Sequence, residues 1–241
     1  MKTFKQYISE AYISPNGGEK FGQVIFLVGG AGSGKSYATM KAINSKSYKI
    51  INPDEVKKLV VAVANAGKGF ADIKGMDIYD KKEGQILQKY IGGKRFNSKR
   101  IKAMLGDKNR KQLPNLIFDQ TFSWKGEIQK RAKTLIDAGY KKENLHVVYV
   151  FVDIDIALKQ NRERKRVLPD DVVINTGRGS KKSFLTLLKQ KTEGSDNVDG
   201  EYHIIFRDKK NQPTSMQIKK SGNKFVADGG IALQVALLLK K

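Results

Sequence analysis

The sequence predicts a doubly wound α/β fold with a mainly parallel sheet, and three observations carry the prediction. Short apolar runs alternate with amphipathic stretches along most of the chain. A glycine-rich turn, Gly29-Gly30-Ala31-Gly32-Ser33-Gly34-Lys35-Ser36, follows the first run directly. Two later runs lead into aspartates, Asp54 and Asp119, which puts carboxylates at the edge of the sheet where open α/β folds bind ligands.

The first strand is Val24-Ile25-Phe26-Leu27-Val28, and a helix-compatible stretch at 37–44 follows the turn. Residues 48–52 read as a second strand running into Pro53-Asp54, with a helix over 55–64. A polar, Gly- and Lys-rich insertion then extends to Pro114. The third strand is 116–119. Its helix spans 125–138, with Ile128, Ala132, Leu135 and Ile136 on one face and Gly139 as the stop. Residues 146–152 are almost continuously apolar, as a parallel strand buried on both faces requires. A helical stretch opened by Asp155 and closed by Leu168-Pro169 carries a basic cluster and reads as a helical lid. Beyond Gly194-Ser195-Asp196, a strand at 202–206, a stretch at 217–227 turning at Ser221-Gly222-Asn223 and an apolar helix at 231–239 form a small hairpin-helix extension. The expected organisation is an amphipathic or leader segment at 1–18 and one domain at 19–241, with its core at 22–194 and the extension at 195–241.

The turn fits GxxxxGK[ST] in the context that pattern needs, strand before and helix after, which narrows the fold to a P-loop NTPase, and the strand-end aspartates and the basic lid cluster beside it turn the nucleotide site into a candidate site of the kinase type. Backbone N–H groups of such a loop point at phosphate oxygens, and its glycines leave room for the ligand. Lys35 then reaches the β and γ phosphates of ATP, and the Ser36 hydroxyl holds Mg²⁺. Asp119 stands where a Walker-B carboxylate holds the same metal, directly or through water. Asp54 can accept the proton of an attacking hydroxyl or orient it; the alternative is an N-cap of the following helix. In Asn161-Arg162-Glu163-Arg164-Lys165-Arg166, arginines on a lid can neutralise charge that develops on a transferring phosphoryl group; the alternative is a share in a generally basic surface.

That surface is strongly biased. Lys and Arg number 46 against 24 Asp and Glu, a net charge of +22. Residues 81–142 hold 17 basic against 5 acidic residues, and Lys94, Arg95, Lys99, Arg100, Lys102, Lys108, Arg110 and Lys111 crowd one connecting region. Such a patch attracts phosphate backbones without reading sequence, so nucleic acid is an expected partner. The chain has no cysteine and 2 histidines, which excludes a disulfide framework and a thiolate metal site. No apolar stretch reaches the length of a membrane span, and the expectation is a cytoplasmic protein.

Four short motifs in order resemble the P-loop kinases grouped as zeta toxins and polynucleotide kinases: the glycine-rich turn, Ile51-Asn52-Pro53-Asp54-Glu55-Val56-Lys57-Lys58, Phe118-Asp119-Gln120-Thr121-Phe122, and Ala157-Leu158-Lys159-Gln160-Asn161-Arg162-Glu163-Arg164 with Leu168-Pro169 beyond. The resemblance covers 22–190. It implies that Asp54 is the acceptor-activating aspartate, Asp119 the carboxylate of an Asp-x-Thr pattern and Arg164 the lid arginine, with Arg162 and Arg166 as further phosphate ligands. It implies ATP and Mg²⁺ as cofactors and an antitoxin-like inhibitor as a class of partner. The acceptor it implies is a nucleotide sugar for zeta toxins, a 5′-hydroxyl of nucleic acid for polynucleotide kinases, and a hydroxymethylated base for related phage kinases. The basic insertion departs from compact members of the group.

Met1-Lys2-Thr3-Phe4-Lys5-Gln6-Tyr7-Ile8-Ser9-Glu10-Ala11 resembles the capsid-targeting leader of internal head proteins of large tailed phages. That implies a phage-encoded chain packaged in the head and cut between Glu10 and Ala11, and it gives the positive charge a second explanation, storage among packaged DNA. An amphipathic helix packing Phe4, Tyr7, Ile8 and Ala11 is the alternative.

Overall fold

The computed structural model describes residues 13–15, 20–106, 112–193, 197–207, 213–221 and 224–227. Its strands are β1 (Val24–Val28), β2 (Tyr48–Ile51), β3 (Asn115–Asp119), β4 (Leu145–Phe151), β5 (Tyr202–Arg207), β6 (Pro213–Ser221) and β7 (Lys224–Ala227). They form one sheet in the order β2-β3-β1-β4-β5-β6-β7. The first five in that order are parallel, and β6 and β7 add an antiparallel hairpin beside β5. The fold is the doubly wound α/β arrangement that the sequence predicts.

Burial of both sheet faces explains why these strands are apolar throughout. Val24, Phe26 and Val28 pack with Phe118, Phe122 and Phe184 on one face, while Ile25 and Leu27 pack with Ala38, Ile117 and Val148 on the other. Alternate residues of one strand thus feed two cores, and neither face can accept a polar side chain without loss.

The helices are α1 (Lys35–Lys41), α2 (Pro53–Asn65), α3 (Lys81–Gly93), α4 (Phe96–Leu105), α5 (Glu127–Asp137), α6 (Ile154–Arg162) and α7 (Asp170–Glu193). Two departures from the sequence reading matter. The insertion after α2, to which the sequence assigns no element, carries α3 and α4: Asp80 caps α3 by accepting from the N–H groups of Lys82 and Glu83, and Leu87 and Ile91 pack with Val56, Val60 and Ala64 of α2. The chain between the lid and 193, for which no element was expected, is the long helix α7. Gly177, Gly179 and Ser180 interrupt the apolar period that marks a helix in sequence.

Residues 1–12 and 16–18 of the expected leader segment, Gly222 and Asn223 of the expected turn, the expected helix at 231–239, and Lys108, Arg110 and Lys111 of the basic patch lie outside the described residues. Among the described residues no helix is long and apolar enough to cross a membrane.

Candidate active site

The strand order brings the loop after β1 beside the ends of β2 and β3, and a cleft of about 570 Å³ opens there. Ala31 to Ser36, Asp54, Asp119 and Arg164 all line it. Residues that lie far apart in sequence therefore face one space.

The loop is held by contacts too close for any added atom. Gly32 has φ +77°, a left-handed conformation, and a Cβ there would sit 2.5 Å from the Ala157 carbonyl oxygen of α6. A Cβ on Gly30 would sit 2.6 Å from Cα of Gly177, so the backbone of α7 lies directly against the loop. Thr176 Oγ1 accepts the Ala31 N–H at 3.0 Å while donating back into its own helix, which fixes the outer turn of the loop.

Lys35 turns its ammonium inward, donating to the carbonyls of Gly29 at 2.7 Å and Gly30 at 3.1 Å. Burial lowers its pKa, and the nearby charge of Asp119 opposes that shift. Ser36, the next residue, is exposed in the cleft.

Asn52 ties the two strand ends together. Its carbonyl oxygen accepts the Asp54 N–H at 2.8 Å and caps α2, with Pro53 at the first helical position. Its amide nitrogen donates to Asp119 Oδ2 at 3.1 Å. Asn52, not Asp54, is thus the N-cap, which leaves the Asp54 carboxylate to the cleft. Burial raises the Asp119 carboxyl above the usual range; the Lys35 charge and the Asn52 hydrogen bond oppose this without reversing it. Asp54 goes the other way. Burial pushes its carboxyl up, but the hydrogen bond and charge of Lys57 at 2.8 Å, with Arg166 and Arg164, outweigh burial and hold it below the usual range.

The lid arginines divide. Arg164 lines the cleft. Arg166 Nη1 stands 3.4 Å from Asp54 Oδ1. Arg162, expected beside the phosphates, instead pairs with Asp170 at 2.8 Å and is not among the cleft residues. The physical reason is the end of α6: Arg162 is its last residue, and Asp170 opens α7 nearby. The buried Asn161 closes the lid segment by donating to the Leu168 carbonyl at 2.7 Å and accepting the Leu168 N–H at 3.0 Å.

The donor set suits Mg²⁺. Magnesium is held by few protein oxygens, its other positions going to water and phosphate, so a hydroxyl and a carboxylate at Ser36 and Asp119 suffice.

Residues to which the sequence assigns no role also line the cleft: Gln88 from α3, Gln120, Trp124, Glu127 and Gln160. Nothing in the sequence pattern marks which side chains of these segments point inward.

The chain matches no protein-family model and no curated protein by sequence. Solved structures share its fold. The native AvrRxo1-ORF1:-ORF2 complex aligns with a TM-score of 0.62 at 15% identity, over 88% of this chain and 62% of that one. The same complex with ATP gives 0.61 at 15% identity over the same shares. The PezAT chromosomal toxin-antitoxin system of Streptococcus pneumoniae gives 0.52 at 16% identity, over 81% of this chain and 73% of that one. The chain thus spans 62% of the AvrRxo1 chain it resembles.

Proposed function

We propose that the chain is an ATP-dependent kinase that moves the γ-phosphoryl group of Mg·ATP to a hydroxyl of nucleic acid or a nucleotide. The observation that carries this reading is the convergence of the phosphate loop, Asp54, Asp119 and Arg164 on one cleft. The ATP bound in a structure of the same fold supports the choice of donor.

In this reading Mg·ATP supplies the phosphoryl group and a metal charge that offsets the negative charge of the transfer. The backbone N–H groups of the loop and Lys35 bind the β and γ phosphates, and Ser36 and Asp119 hold the metal. Arg164 neutralises charge that grows in the transition state. Asp54 orients the acceptor hydroxyl and takes its proton. A carboxylate held below the usual range is ionised at neutral pH and is a weak base, which suits a loose transition state in which the proton leaves late. Lys57 and Arg166 fix its direction.

The exposed cations Lys94, Arg95, Lys99 and Lys102, at and beyond the end of α3, favour a polyanionic acceptor. The second chain of the AvrRxo1-ORF1:-ORF2 complex and the toxin-antitoxin pairing of PezAT support a cognate inhibitor chain as a second kind of partner. The test is transfer of labelled phosphate from ATP to separate pools of DNA, RNA, nucleotides and nucleotide sugars. Labelling of a nucleotide or polynucleotide is expected. Labelling of nucleotide sugars alone replaces this acceptor with the zeta-toxin type, and ATP binding with no transfer to any pool removes the kinase reading.

A further inference from the structure

Trp124 is the chain's sole tryptophan, and at 78% exposure it is the most exposed large apolar side chain among the described residues. An indole left in water forgoes one of the largest burial energies a side chain offers. The loop that carries it is braced. Phe122 is fully buried with φ 49°, an unfavourable conformation for a bulky residue, and meets Phe26 edge-on at 5.8 Å. Ser180 Oγ donates to the Thr121 carbonyl at 2.6 Å, and a Cβ on Gly179 would lie 2.5 Å from the Ser123 carbonyl oxygen. Held on this side by α7 and leading through Gly126 into α5, the loop stands Trp124 in the wall of the same cleft that contains Lys35, Asp54 and Asp119.

Its place in the cleft selects the ligand. Trp124 follows β3, and Asp54 follows β2; both strands lie on the same side of β1 and its phosphate loop. In an in-line transfer the attacking oxygen and the leaving group sit on opposite sides of phosphorus. With the leaving nucleotide held by the loop, the acceptor approaches from the side of Asp54 and Asp119, where Trp124 stands. Gln88 and Gln120 line the same cleft and offer amide donors and acceptors.

We infer that Trp124 is a stacking platform for a planar heteroaromatic base of the acceptor. The inference rests on the kinase reading above and narrows its acceptor to a base-bearing molecule, since every nucleobase has a π-face that an indole can cover.

Because the chain has no other tryptophan, its indole emission reports on Trp124 alone. With Mg·ADP saturating the loop, titration with AMP, UMP or a short single-stranded oligothymidylate is expected to quench that emission to saturation. Ribose 5-phosphate, which keeps sugar and phosphate but has no base, is expected to leave it unchanged. Trp124→Ala is expected to weaken binding of the base-bearing probes about 5- to 150-fold, the range for stacking one base, and to raise acceptor KM more than it lowers kcat. Trp124→Phe, which keeps a ring, is expected to recover most of the affinity. Three results overturn the inference: quenching by ADP with no further change from any probe, equal quenching by ribose 5-phosphate, or unchanged probe affinity in Trp124→Ala. Quenching by the probes without transfer to any acceptor leaves the platform standing and removes the kinase reading. Transfer to a base-free alcohol that Trp124→Ala does not alter does the reverse.

Discussion

The phosphate loop shares a cleft with the start of α2, the basic insertion packs on the same helix, and the two are built in opposite ways. Around the loop, backbone meets backbone: Gly30 against Gly177 and Gly32 against Ala157 leave no volume for a methyl group. In the insertion, side chains do the packing. Phe70, Tyr90 and Phe96 meet at ring separations of 5.2 to 6.5 Å beside a cluster that includes Val60, Val61 and Leu87, while Gly67, Gly69, Gly75, Gly92 and Gly93 have nothing within 4 Å of a hypothetical Cβ. The cleft geometry is therefore rigid where phosphate would sit, and the neighbouring insertion can vary its surface while keeping its small core.

The largest effect expected from this contrast is that of Lys35→Ala. Its ammonium makes two bonds to the loop and lies beside Asp119, so its removal is expected to lower phosphoryl transfer by about 10³–10⁵, the scale for a cation acting on a transferring group. Unchanged turnover in a variant with a native circular-dichroism spectrum overturns the site assignment. Asp54→Asn follows, with an expected loss of about 10²–10⁴ in kcat and ATP affinity retained. A matching loss of ATP affinity instead moves Asp54 into the nucleotide site.

Gly32→Ala tests the rigid side of the comparison directly. The added methyl meets the Ala157 carbonyl in a left-handed conformation that costs about 1–3 kcal/mol, so ATP affinity measured by calorimetry is expected to fall. ATP binding as tight as in the parent shows the loop to be softer than its contacts indicate.

The two regions also differ in how legible they are in sequence. The loop, the strand-end aspartates and Arg164 could be read because each follows from a local pattern: glycines, an apolar run and its terminating carboxylate, a basic helix end. Helix α3 carried its own signal, Asp80 followed by Glu83 and the pair Leu87 and Ile91, but the high content of Gly and Lys masked it. Helix α7 was less readable. Gly177, Gly179 and Ser180 make it a poor helix former, and the reason for them lies in loops more than fifty residues away in the chain, at Gly30, Ser123 and Thr121. Asn52 is legible in sequence as part of a motif, yet its double role depends on β2 lying beside β3.

The charged surface of the insertion gives a smaller, graded effect. Lys94, Lys99 and Lys102 are exposed, and none has an acidic partner among the described ion pairs. If they bind nucleic acid, changing all three to Gln reduces the steepness of log affinity against log salt by about 0.9 per lost phosphate contact on duplex DNA, or about 0.7 on a single strand. An unaltered slope in a DNA-binding parent places the contact elsewhere on the molecule.

The smallest effect has the opposite sign. Gly93 closes α3 without the left-handed φ that reserves a position for glycine, and a Cβ there meets open space. Gly93→Ala removes conformational freedom from the unfolded chain and adds a better helix former at no steric cost, so thermal unfolding is expected to show a gain of about 0.5–1 kcal/mol. Phosphoryl transfer should stay at the parental level, because Gly93 is not among the residues that line the cleft. The same substitution in the loop, at Gly32, is predicted to damage binding. If Gly93→Ala instead lowers activity, the insertion is coupled to the cleft through α3, whose Gln88 already reaches it, and the division between a rigid loop and a tolerant insertion fails at that helix.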